Sequence, residues 1–523
     1  MLAIVLLGIG GAPADAAGGP RGGHGDGGPW KTVACLFRAN TTPEKLTDCV
    51  GIDGVRRHQR ALQLIADRHD GNRASGTEGY EASVDYVAFL LRAAGYQVTI
   101  DPFEFYAFTP EGPSALEQTA PTPATYVEDE DFGLLDQSDP GDVTAPVTPV
   151  DVQLGEGNTS TSGCEPEDFA GFPAGTIALL QRGVCTFEDK VENAAAAGAV
   201  AAVLFNQGNT ADDERQGIPA VTLGNGNTSG IPALGTTYAL GAELAQTEGL
   251  ELRVFANSSR VLTESENVIA ETTRGDDANT VMVGAHLDGV LEGPGINDNG
   301  SGTAAVLETA LMMRKVNPRN TVRFAFWGAE ESGLVGSTDY VATRTPEELA
   351  QIKLYLNFDM LGSPNYANFV YDGDGSDFGL AGPEGSAAIE ALFQDFYESR
   401  GEAYEGTEID FRSDYGAFFD AGIPFGGLFS GAEDEKTPEQ VARYGGTAGE
   451  AFDPCYHAAC DTYDNVSLAA LATNADSVAH ATITWAQART LPGPAPEGRS
   501  ARAASAAPSS ATHPPTTGHH ATA

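Results

Sequence analysis

The stretch Val281–Asp298, VMVGAHLDGVLEGPGIND, decides the fold of this chain. Its opening apolar run is typical of a buried strand, and the run ends on His286 and Asp288, where a strand would meet a loop. A Gly/Pro turn then leads to Asp298, shortly before TAAVLETALMM, whose apolar spacing predicts a helix. An imidazole and a carboxylate are therefore predicted to face one crevice.

Two later apolar runs repeat this pattern. TVRFAFW is followed by the adjacent Glu330 and Glu331, and IKLYLNF ends directly before Asp359. In an open α/β sheet, ligands bind at the carboxyl ends of the strands. Imidazole mixed with carboxylates is the donor set of a divalent transition metal, most plausibly zinc. For the first stretch alone, a core histidine and a capping aspartate explain the residues equally well, but the repetition favours a metal site.

One more ligand is expected at His457, within CYHAACDT. Of the nine histidines in the chain, four lie in low-complexity ends: His24, His513, His519 and His520. His457 is the best of the remaining candidates, and with it the set is large enough for two metal ions.

With these ligands in place, the chain resembles the secreted co-catalytic zinc aminopeptidases of metallopeptidase family 28, of the leucine aminopeptidase and aminopeptidase Y type. The motifs HLDG, GINDNGSG, AEESGLVGS, NFDM, RSDYGAF and CYHxxCDT follow the family's order. The resemblance extends over residues 35–490. It implies a three-layer α/β zinc-peptidase fold with a mixed, mostly parallel central sheet and a smaller, inserted, β-rich protease-associated domain.

The resemblance also implies a division of the metal ligands between two zinc ions per chain. His286 and Asp359 would hold one ion, Glu331 and His457 the other, and Asp298 would bridge both. Elementary electrostatics agrees, because two divalent ions at roughly 3.5 to 4 Å need a shared anionic ligand, and a carboxylate offers one oxygen to each.

Asp288 and Glu330 are predicted to support these ligands. Asp288 lies close enough along the chain to accept the other ring N–H of His286. Glu330 neighbours a ligand without being needed as one, so it can take a proton from the attacking water and pass it to the leaving amine. The alternative for Glu330 is a solvated surface acid.

Tyr456 and Arg412 are the predicted substrate-facing residues. As the matching tyrosine does in the family, Tyr456 would donate a hydrogen bond to the developing oxyanion; a packing tyrosine is the alternative. Arg412 matches the family position that helps to hold the N-terminal residue of the substrate. Tyr415 stands where relatives often carry histidine, which leaves that part of the pocket open.

The amino-acid composition limits the classes of protein to which this chain can belong. The chain has 523 residues, 41% of them apolar and 20% charged, which suits two or three globular domains. A net charge of −44 excludes a nucleic-acid partner, because phosphate binding needs a basic patch. No run beyond the N-terminus approaches the roughly 20 apolar residues that span a membrane. We expect an exported, extracellular monomer without a membrane partner.

The six cysteines agree with an oxidising compartment. Sequence alone leaves their connectivity open. We expect sequential pairs, because each closes a short loop within one module: Cys35 with Cys49, Cys164 with Cys185, and Cys455 with Cys460. A cysteine-rich zinc site is the rival interpretation, and no CxxC pair supports it.

Periodicity and composition divide the chain into modules. VRRHQRALQLIADRHDG predicts a helix that stops at Gly71, GYEASVDYVAFLLRAAG predicts one that stops at Gly95, and YQVTIDPFEF alternates like a strand. The loop between the two helices, NRASGTEGY, is expected to be a plain connector, with a place on the rim of the active site as the alternative. GTIALLQRGVCTFEDKVENAAAAGAVAAVLFNQ predicts strand, loop, alanine-rich helix and strand, and resembles a protease-associated domain; a spacer without a catalytic role is the alternative.

The predicted module boundaries follow from these patterns. The apolar run LAIVLLGIG and an A-x-A pattern predict a signal peptide, although the usual basic segment is missing. The modules are a signal peptide (1–16), an N-terminal extension (17–50), a first peptidase segment (51–106), the inserted protease-associated domain (107–262), a second peptidase segment with all metal ligands (263–490) and a disordered low-complexity tail (491–523).

The sequence thus predicts a secreted dizinc aminopeptidase that acts on peptides with a free N-terminus. A carboxypeptidase of the same superfamily would use the same ligands but would need basic residues for a C-terminal carboxylate. An inactive, receptor-like binding protein would be expected to have lost ligands. Aromatic residues near the expected pocket suggest apolar first residues such as leucine, although core packing explains them equally well: Phe418, Phe419, Phe425 and Phe429.

Overall fold

The structure is a computed structural model that describes residues 34–219 and 221–492. The predicted signal peptide, the first part of the N-terminal extension and the tail from residue 493 onward lie outside the described residues. The described strands belong to two sheets.

The strands are β1 Gln97–Pro110, β2 Ala115–Ala120, β3 Ala124–Thr125, β4 Phe132–Leu134, β5 Gly141–Pro149, β6 Ile177–Gln181, β7 Ala201–Phe205, β8 Ala233–Thr236, β9 Glu251–Ala256, β10 Ser258–Glu271, β11 Asp276–His286, β12 Asn320–Trp327, β13 Ile352–Phe358, β14 Phe369–Tyr371, β15 Glu405–Thr407 and β16 Phe425–Phe429.

The α-helices are α1 Pro43–Thr47, α2 Ile52–Ala66, α3 Glu78–Ala94, α4 Phe187–Ala196, α5 Asp213–Gln216, α6 Tyr238–Gln246, α7 Gly300–Met313, α8 Val335–Ala342, α9 Pro346–Leu349, α10 Ser386–Arg400, α11 Tyr415–Asp420, α12 Pro438–Tyr444 and α13 Leu468–Gln487, with a 3₁₀ turn at Pro166–Phe169. Within the described ranges, none of the helices has the length and apolar character needed to cross a membrane.

The central sheet has the order β1-β10-β12-β11-β13-β16-β14-β15. The middle strands β12, β11, β13 and β16 run parallel to one another. Three antiparallel pairs extend the sheet on its two sides: β1 with β10, β10 with β12, and β14 with β16. Every residue of β13 is buried, because parallel strands in the middle of a sheet are covered on both faces and read as continuous apolar runs. The predicted mixed, mostly parallel central sheet is confirmed.

Helices cover both faces of this sheet. Successive residues of a strand point to opposite faces, and along β13 Leu354 and Leu356 enter one core while Tyr355 enters the other. The larger core includes residues of α2, α3, α7, α10 and α13, and the smaller core includes residues of α8 and α11. The resulting arrangement of helices, sheet and helices is the three-layer fold that the sequence predicts.

The two helices predicted between residues 51 and 95, α2 and α3, differ in how closely their ends agree with the prediction. Helix α3 ends at Ala94, and Gly95 caps it with a φ of 97°, as its sequence predicts. Helix α2 ends at Ala66 rather than at the predicted Gly71, and the amide of Gly71 donates to the carbonyl of Ala66. The intervening residues 67–70 are all polar, so they offer no apolar side chain that would favour another turn packed on the core.

The second sheet lies within the predicted inserted domain and has the order β3-β2-β9-β5-β6-β7-β8-β4. Strands β5 to β8 are parallel neighbours, and β6, α4 and β7 reproduce the predicted strand, loop, helix and strand. The chain enters and leaves this sheet through β1 and β10, which pair antiparallel along their full lengths, from Gln97 opposite Glu271 to Pro110 opposite Ser258. One two-stranded ribbon therefore joins the insertion to the central sheet.

The disulfides follow the predicted pairing, and the described residues contain no free cysteine. The bonds join Cys35 to Cys49, Cys164 to Cys185 and Cys455 to Cys460. The last of these closes the short loop that carries Tyr456 and His457.

Candidate metal centre

The carboxyl ends of the parallel strands bring the predicted ligand residues to one edge of the sheet. Strand β11 ends on His286, β12 ends shortly before Glu330 and Glu331, and β13 ends directly before Asp359. Asp298 lies in the loop just before α7. Because β12, β11 and β13 are adjacent and parallel, these side chains meet in the crevice where ligands bind in open α/β sheets.

The five predicted ligands form one cluster. Nε2 of His286 lies 3.2 Å from Oδ1 of Asp298 and 3.2 Å from Oδ1 of Asp359. Nε2 of His457 lies 3.3 Å from Oδ2 of Asp298 and 2.9 Å from Oε2 of Glu331. Asp298 thus turns one carboxylate oxygen toward each histidine.

The donor atoms of the cluster are suited to binding divalent cations, because some of them lack hydrogen-bond partners within the protein. Nε2 of His457 and Oε1 of Glu331 are buried and have no hydrogen-bond partner, despite their crowded surroundings. Donor atoms within 4.8 Å of one another form one trio of His286, Asp298 and Asp359 and a second of Asp298, Glu331 and His457; a further trio of His286, Glu330 and Glu331 lacks Asp298. Two such trios that share a carboxylate match the requirement for a bridging ligand between two ions.

Burial and the facing carboxylates shift the pKa values of Glu330, Glu331 and the two histidines. Burial raises the pKa of Glu331 to about 6, and the charge of Asp298 adds to this rise. Burial also raises the pKa of Glu330 well above its usual range, with further repulsion from Asp359. Burial alone would lower the pKa values of the two histidines, but the facing carboxylates raise both. A bound cation works against these shifts, since ligands bind metal in their deprotonated forms.

Asp288 supports the cluster through two different groups. Its backbone carbonyl lies 3.2 Å from Nδ1 of His286, whereas its Oδ1 lies 3.6 Å from the same nitrogen. The Oδ1 atom instead accepts a hydrogen bond from the amide of Glu330 at 3.3 Å. The sequence predicts the carboxylate as the partner of the histidine ring, and the structure places the carbonyl closer.

A buried chain of hydrogen bonds holds Asp359 through Oδ2, the carboxylate oxygen that does not face His286. The indole N–H of Trp327 donates to Tyr355 at 2.8 Å, and the Tyr355 hydroxyl donates to Oδ1 of Asn357 at 2.9 Å. The amide of Asn357 then donates to Ser413 at 2.8 Å, and Ser413 donates to Oδ2 of Asp359 at 2.6 Å. Because an indole N–H can only donate, it sets the direction of every bond in the chain.

Gly284 of β11 makes room for this hydrogen-bond chain. A Cβ at this position would lie 2.5 Å from the Tyr355 hydroxyl and 2.8 Å from Nε1 of Trp327. Real Cβ atoms do not approach so closely. The packing of Tyr355 and Trp327 against β11 therefore requires glycine at this position of VMVGAH.

Asp461 ties the loop of His457 to Asp298. Its carboxylate accepts the backbone amides of Asn297 at 2.8 Å and Asp298 at 2.9 Å. Since Asp461 directly follows Cys460, these hydrogen bonds connect the disulfide loop to Asp298.

Arg73 holds the loop between His286 and Asp298. The arginine is fully buried, and its guanidinium donates to the carbonyls of Leu287, Pro294 and Gly295. It belongs to the segment NRASGTEGY, which the sequence predicts to be a plain connector, so that prediction is incomplete. An arginine within a Gly/Ser-rich loop was the available signal, but its partners lie more than 200 residues away.

Tyr456 and Arg412 meet at the rim of the cluster. Nη2 of Arg412 donates to the Tyr456 hydroxyl at 3.2 Å, and Nη1 forms an ion pair with Glu433 at 2.8 Å. The Tyr456 ring stacks on His457 with centroids 3.8 Å apart. Burial raises the pKa of Tyr456 well above its usual range, so the hydroxyl keeps its proton and can donate it. Glu433 is an acidic partner that the sequence analysis does not identify.

Tyr415 shapes this rim from the core. Its hydroxyl accepts the amides of Asp410 at 3.0 Å and Phe411 at 2.8 Å, and donates to Oδ1 of Asp410 at 2.5 Å. Tyr415 therefore fixes the backbone that precedes Arg412 instead of facing the pocket.

The phenylalanines near the expected pocket take part in core packing. Phe418 and Phe425 are fully buried in the smaller core, where their rings stack on Tyr355 and Tyr415. Phe419 packs against the same core, and Phe429 packs against Phe369. These aromatic residues consequently give little support to an apolar first-residue preference.

The architecture and the cluster together define a metal-dependent peptidase. The central parallel strands carry imidazole and carboxylate donors at one edge, and a smaller domain is inserted before the strand that ends on His286. Residues 267–482 match the model of Peptidase family M28, and residues 143–244 match that of the PA domain.

Individual relatives agree with these matches. An aminopeptidase of Pseudomonas aeruginosa is 57% identical over 445 residues, covering 85% of this chain and 82% of the relative. Leucine aminopeptidase 2 of Trichophyton rubrum is 36% identical over 463 residues, covering 86% and 87%. The chain therefore belongs to peptidase family M28.

Solved structures show the same fold. The aminopeptidase from Aneurinibacillus sp. strain AM-1 is 27% identical with a TM-score of 0.65, and the match covers 87% of this chain and 99% of that one. BSAP, a zinc aminopeptidase from Bacillus subtilis, is 25% identical with a TM-score of 0.52, and the match covers 82% and 94%.

Proposed function

We propose that the protein is an aminopeptidase with two zinc ions per chain, which removes N-terminal residues, preferably apolar ones such as leucine, from peptides. The observation that carries the proposal is the pair of donor trios that share Asp298. The names of the relatives support it, since they include an aminopeptidase, a leucine aminopeptidase and a zinc aminopeptidase.

In this proposal the cluster holds the ions through its buried donors. His286 and Asp359 hold one ion, Glu331 and His457 hold the other, and Asp298 contributes an oxygen to each. When bound, zinc supplies Lewis-acid polarisation of the scissile carbonyl and lowers the pKa of water.

Glu330 is the proposed proton carrier. Its side chain is only 8% exposed, and Oε2 lies 4.0 Å from Nε2 of His286, so the carboxylate faces the cluster. The hydrogen bond from its amide to Asp288 fixes its backbone. Burial raises the pKa of Glu330, which favours its taking a proton from an attacking water and passing it to a leaving amine.

Tyr456 and Arg412 orient the substrate in this proposal. The protonated Tyr456 hydroxyl donates to the oxygen that becomes negative as the carbonyl is attacked. Arg412 holds both Tyr456 and Glu433, and the carboxylate of Glu433 complements the positive charge of a free N-terminus.

The proposed location is extracellular. The three disulfides support it, because such bonds persist in oxidising compartments.

A panel of free and N-acetylated peptides, assayed with and without a chelator, tests the proposal. An aminopeptidase cleaves the free peptides, loses activity on the acetylated ones and loses all activity with chelator. Continued cleavage of the acetylated peptides from their C-terminal ends would instead identify a carboxypeptidase.

A further inference from the structure

A recess lies between the peptidase and the inserted domain, beside the loop that follows Glu330 and Glu331. Its volume is about 220 Å³. Sites that enclose whole drug-sized ligands measure roughly 300 to 1,000 Å³, so this recess has room for a single side chain. Its walls include Leu334, Phe411, Ala417 and Asp420 of the peptidase, and Glu188 and Thr222 of the insertion.

Two walls of the recess belong to the chain segments that carry Glu330 and Arg412. The amide of Leu334 donates to the carbonyl of Glu330 at 2.8 Å, so one wall begins a single turn beyond the proposed proton carrier. Phe411 lines the recess, whereas the next residue, Arg412, reaches Tyr456 on the rim. In the proposed function the leaving amine takes its proton from Glu330, so the peptide beyond the scissile bond leaves past the loop that carries Leu334.

We propose that the recess binds the side chain of the second residue of the substrate, and that the inserted domain thereby selects among substrates. This inference rests on the proposed aminopeptidase activity. The apolar surfaces of Leu334, Phe411 and Ala417 suit an aliphatic stem, and the carboxylate of Glu188 suits a cationic end. Lysine and arginine combine both features.

Glu188 is held in place by the local structure of the insertion. It lies in the first turn of α4, whose N-cap is Thr186. A Cβ at Gly224 or Gly226 would lie 3.0 or 2.6 Å from a carboxylate oxygen of Glu188. These two glycines leave the space that the carboxylate occupies beside the recess.

The test uses the full-length, zinc-loaded enzyme and peptides Leu-X-Gly, with X as lysine, leucine, glycine or aspartate. Each kcat/KM is divided by that for leucinamide, which has no second residue. The wild-type enzyme is expected to favour lysine over aspartate. Glu188→Gln should reduce that ratio roughly fivefold, as expected for one partly exposed ion pair. Leu334→Ala should reduce the ratio of X-leucine to X-glycine about tenfold, as for a shortened apolar contact.

Glu192→Gln is the matched control. Glu192 lies one turn further along α4, accepts the amide and hydroxyl of Thr228 at 2.8 and 2.6 Å, and does not line the recess. Its profile over X should equal that of the wild type. If Glu188→Gln and Leu334→Ala also keep the wild-type profile while leucinamide is cleaved, the inference is wrong and the proposed function stands. If the wild type cleaves neither leucinamide nor any Leu-X-Gly peptide, the proposed function fails and the inference with it.

Discussion

Glu330 and Glu331 are adjacent in the chain, yet the structure gives them different surroundings, and replacing each with alanine should separate their roles. Oε2 of Glu331 lies 2.9 Å from Nε2 of His457, within a donor trio that includes Asp298. Glu330 belongs only to the trio with His286 and Glu331, which lacks Asp298, and its Oε2 approaches no closer than 4.0 Å to Nε2 of His286. Glu331→Ala should therefore weaken metal binding, whereas Glu330→Ala should keep both ions.

The expected cost of Glu330→Ala follows from its role as a proton carrier. General acid–base catalysis contributes about 10² to 10⁴ in rate, which corresponds to roughly 3 to 5 kcal/mol of barrier. The loss should fall on kcat with little change in KM, because the carboxylate acts on the reacting proton rather than on substrate binding. The substitution also removes a carboxylate whose burial raises its pKa and disfavours its charge, so the melting temperature of the metal-free protein should not fall.

The assay combines steady-state kinetics on a leucine peptide with metal analysis of the same preparations and thermal melting of the apo forms. Wild-type protein purified in parallel provides the reference for metal content. Near-normal turnover by Glu330→Ala, or a Glu330→Ala protein that has lost one of its ions, would refute the assignment of the pair.

Chelation should abolish activity, and added zinc should restore it; an active preparation with fewer than one divalent ion per chain would contradict the dizinc proposal. Ser413→Ala removes the donor to Oδ2 of Asp359, and we expect about 10- to 100-fold weaker metal binding in a competition titration; unchanged affinity would make that hydrogen bond dispensable. Burial raises the pKa of Glu390 to about 7, so the folded protein should lose stability as pH rises from the unfolded pKa of roughly 4.3 through 7. Glu390→Gln should flatten that part of the curve in chemical unfolding, and an unchanged pH dependence would rule out this contribution.

The ligand-bearing strands were predictable from sequence because their signals are local. Each is a short apolar run that ends on or beside its carboxylate or histidine, and the observed ends of β11, β12 and β13 agree with this pattern. The contacts of Arg73 and Ser413 were not predictable in the same way, since both act on groups distant in sequence. Helix α2 ends early because residues 67–70 offer no apolar side chain to the core. The prediction takes Gly71 as the end of the helix and does not weigh this polar run.

The cavity between the domains also has no local signature. Leu334 and Glu188 are far apart along the chain. Leu334 directly precedes α8 of the peptidase, whereas Glu188 lies in α4 of the inserted domain. No periodicity links them, so only the placement of the insertion against the peptidase reveals that they share a wall.

The single ribbon formed by β1 and β10 has an evolutionary consequence. Because the chain leaves and re-enters the central sheet along these paired strands, insertions and substitutions beyond the ribbon can accumulate without altering the strands that carry the metal ligands. The insertion can therefore change in sequence more freely than the ligand edge of the central sheet. Relatives should accordingly differ most in the residues of α4 and the segment around Thr222, and least at the ends of β11 and β13.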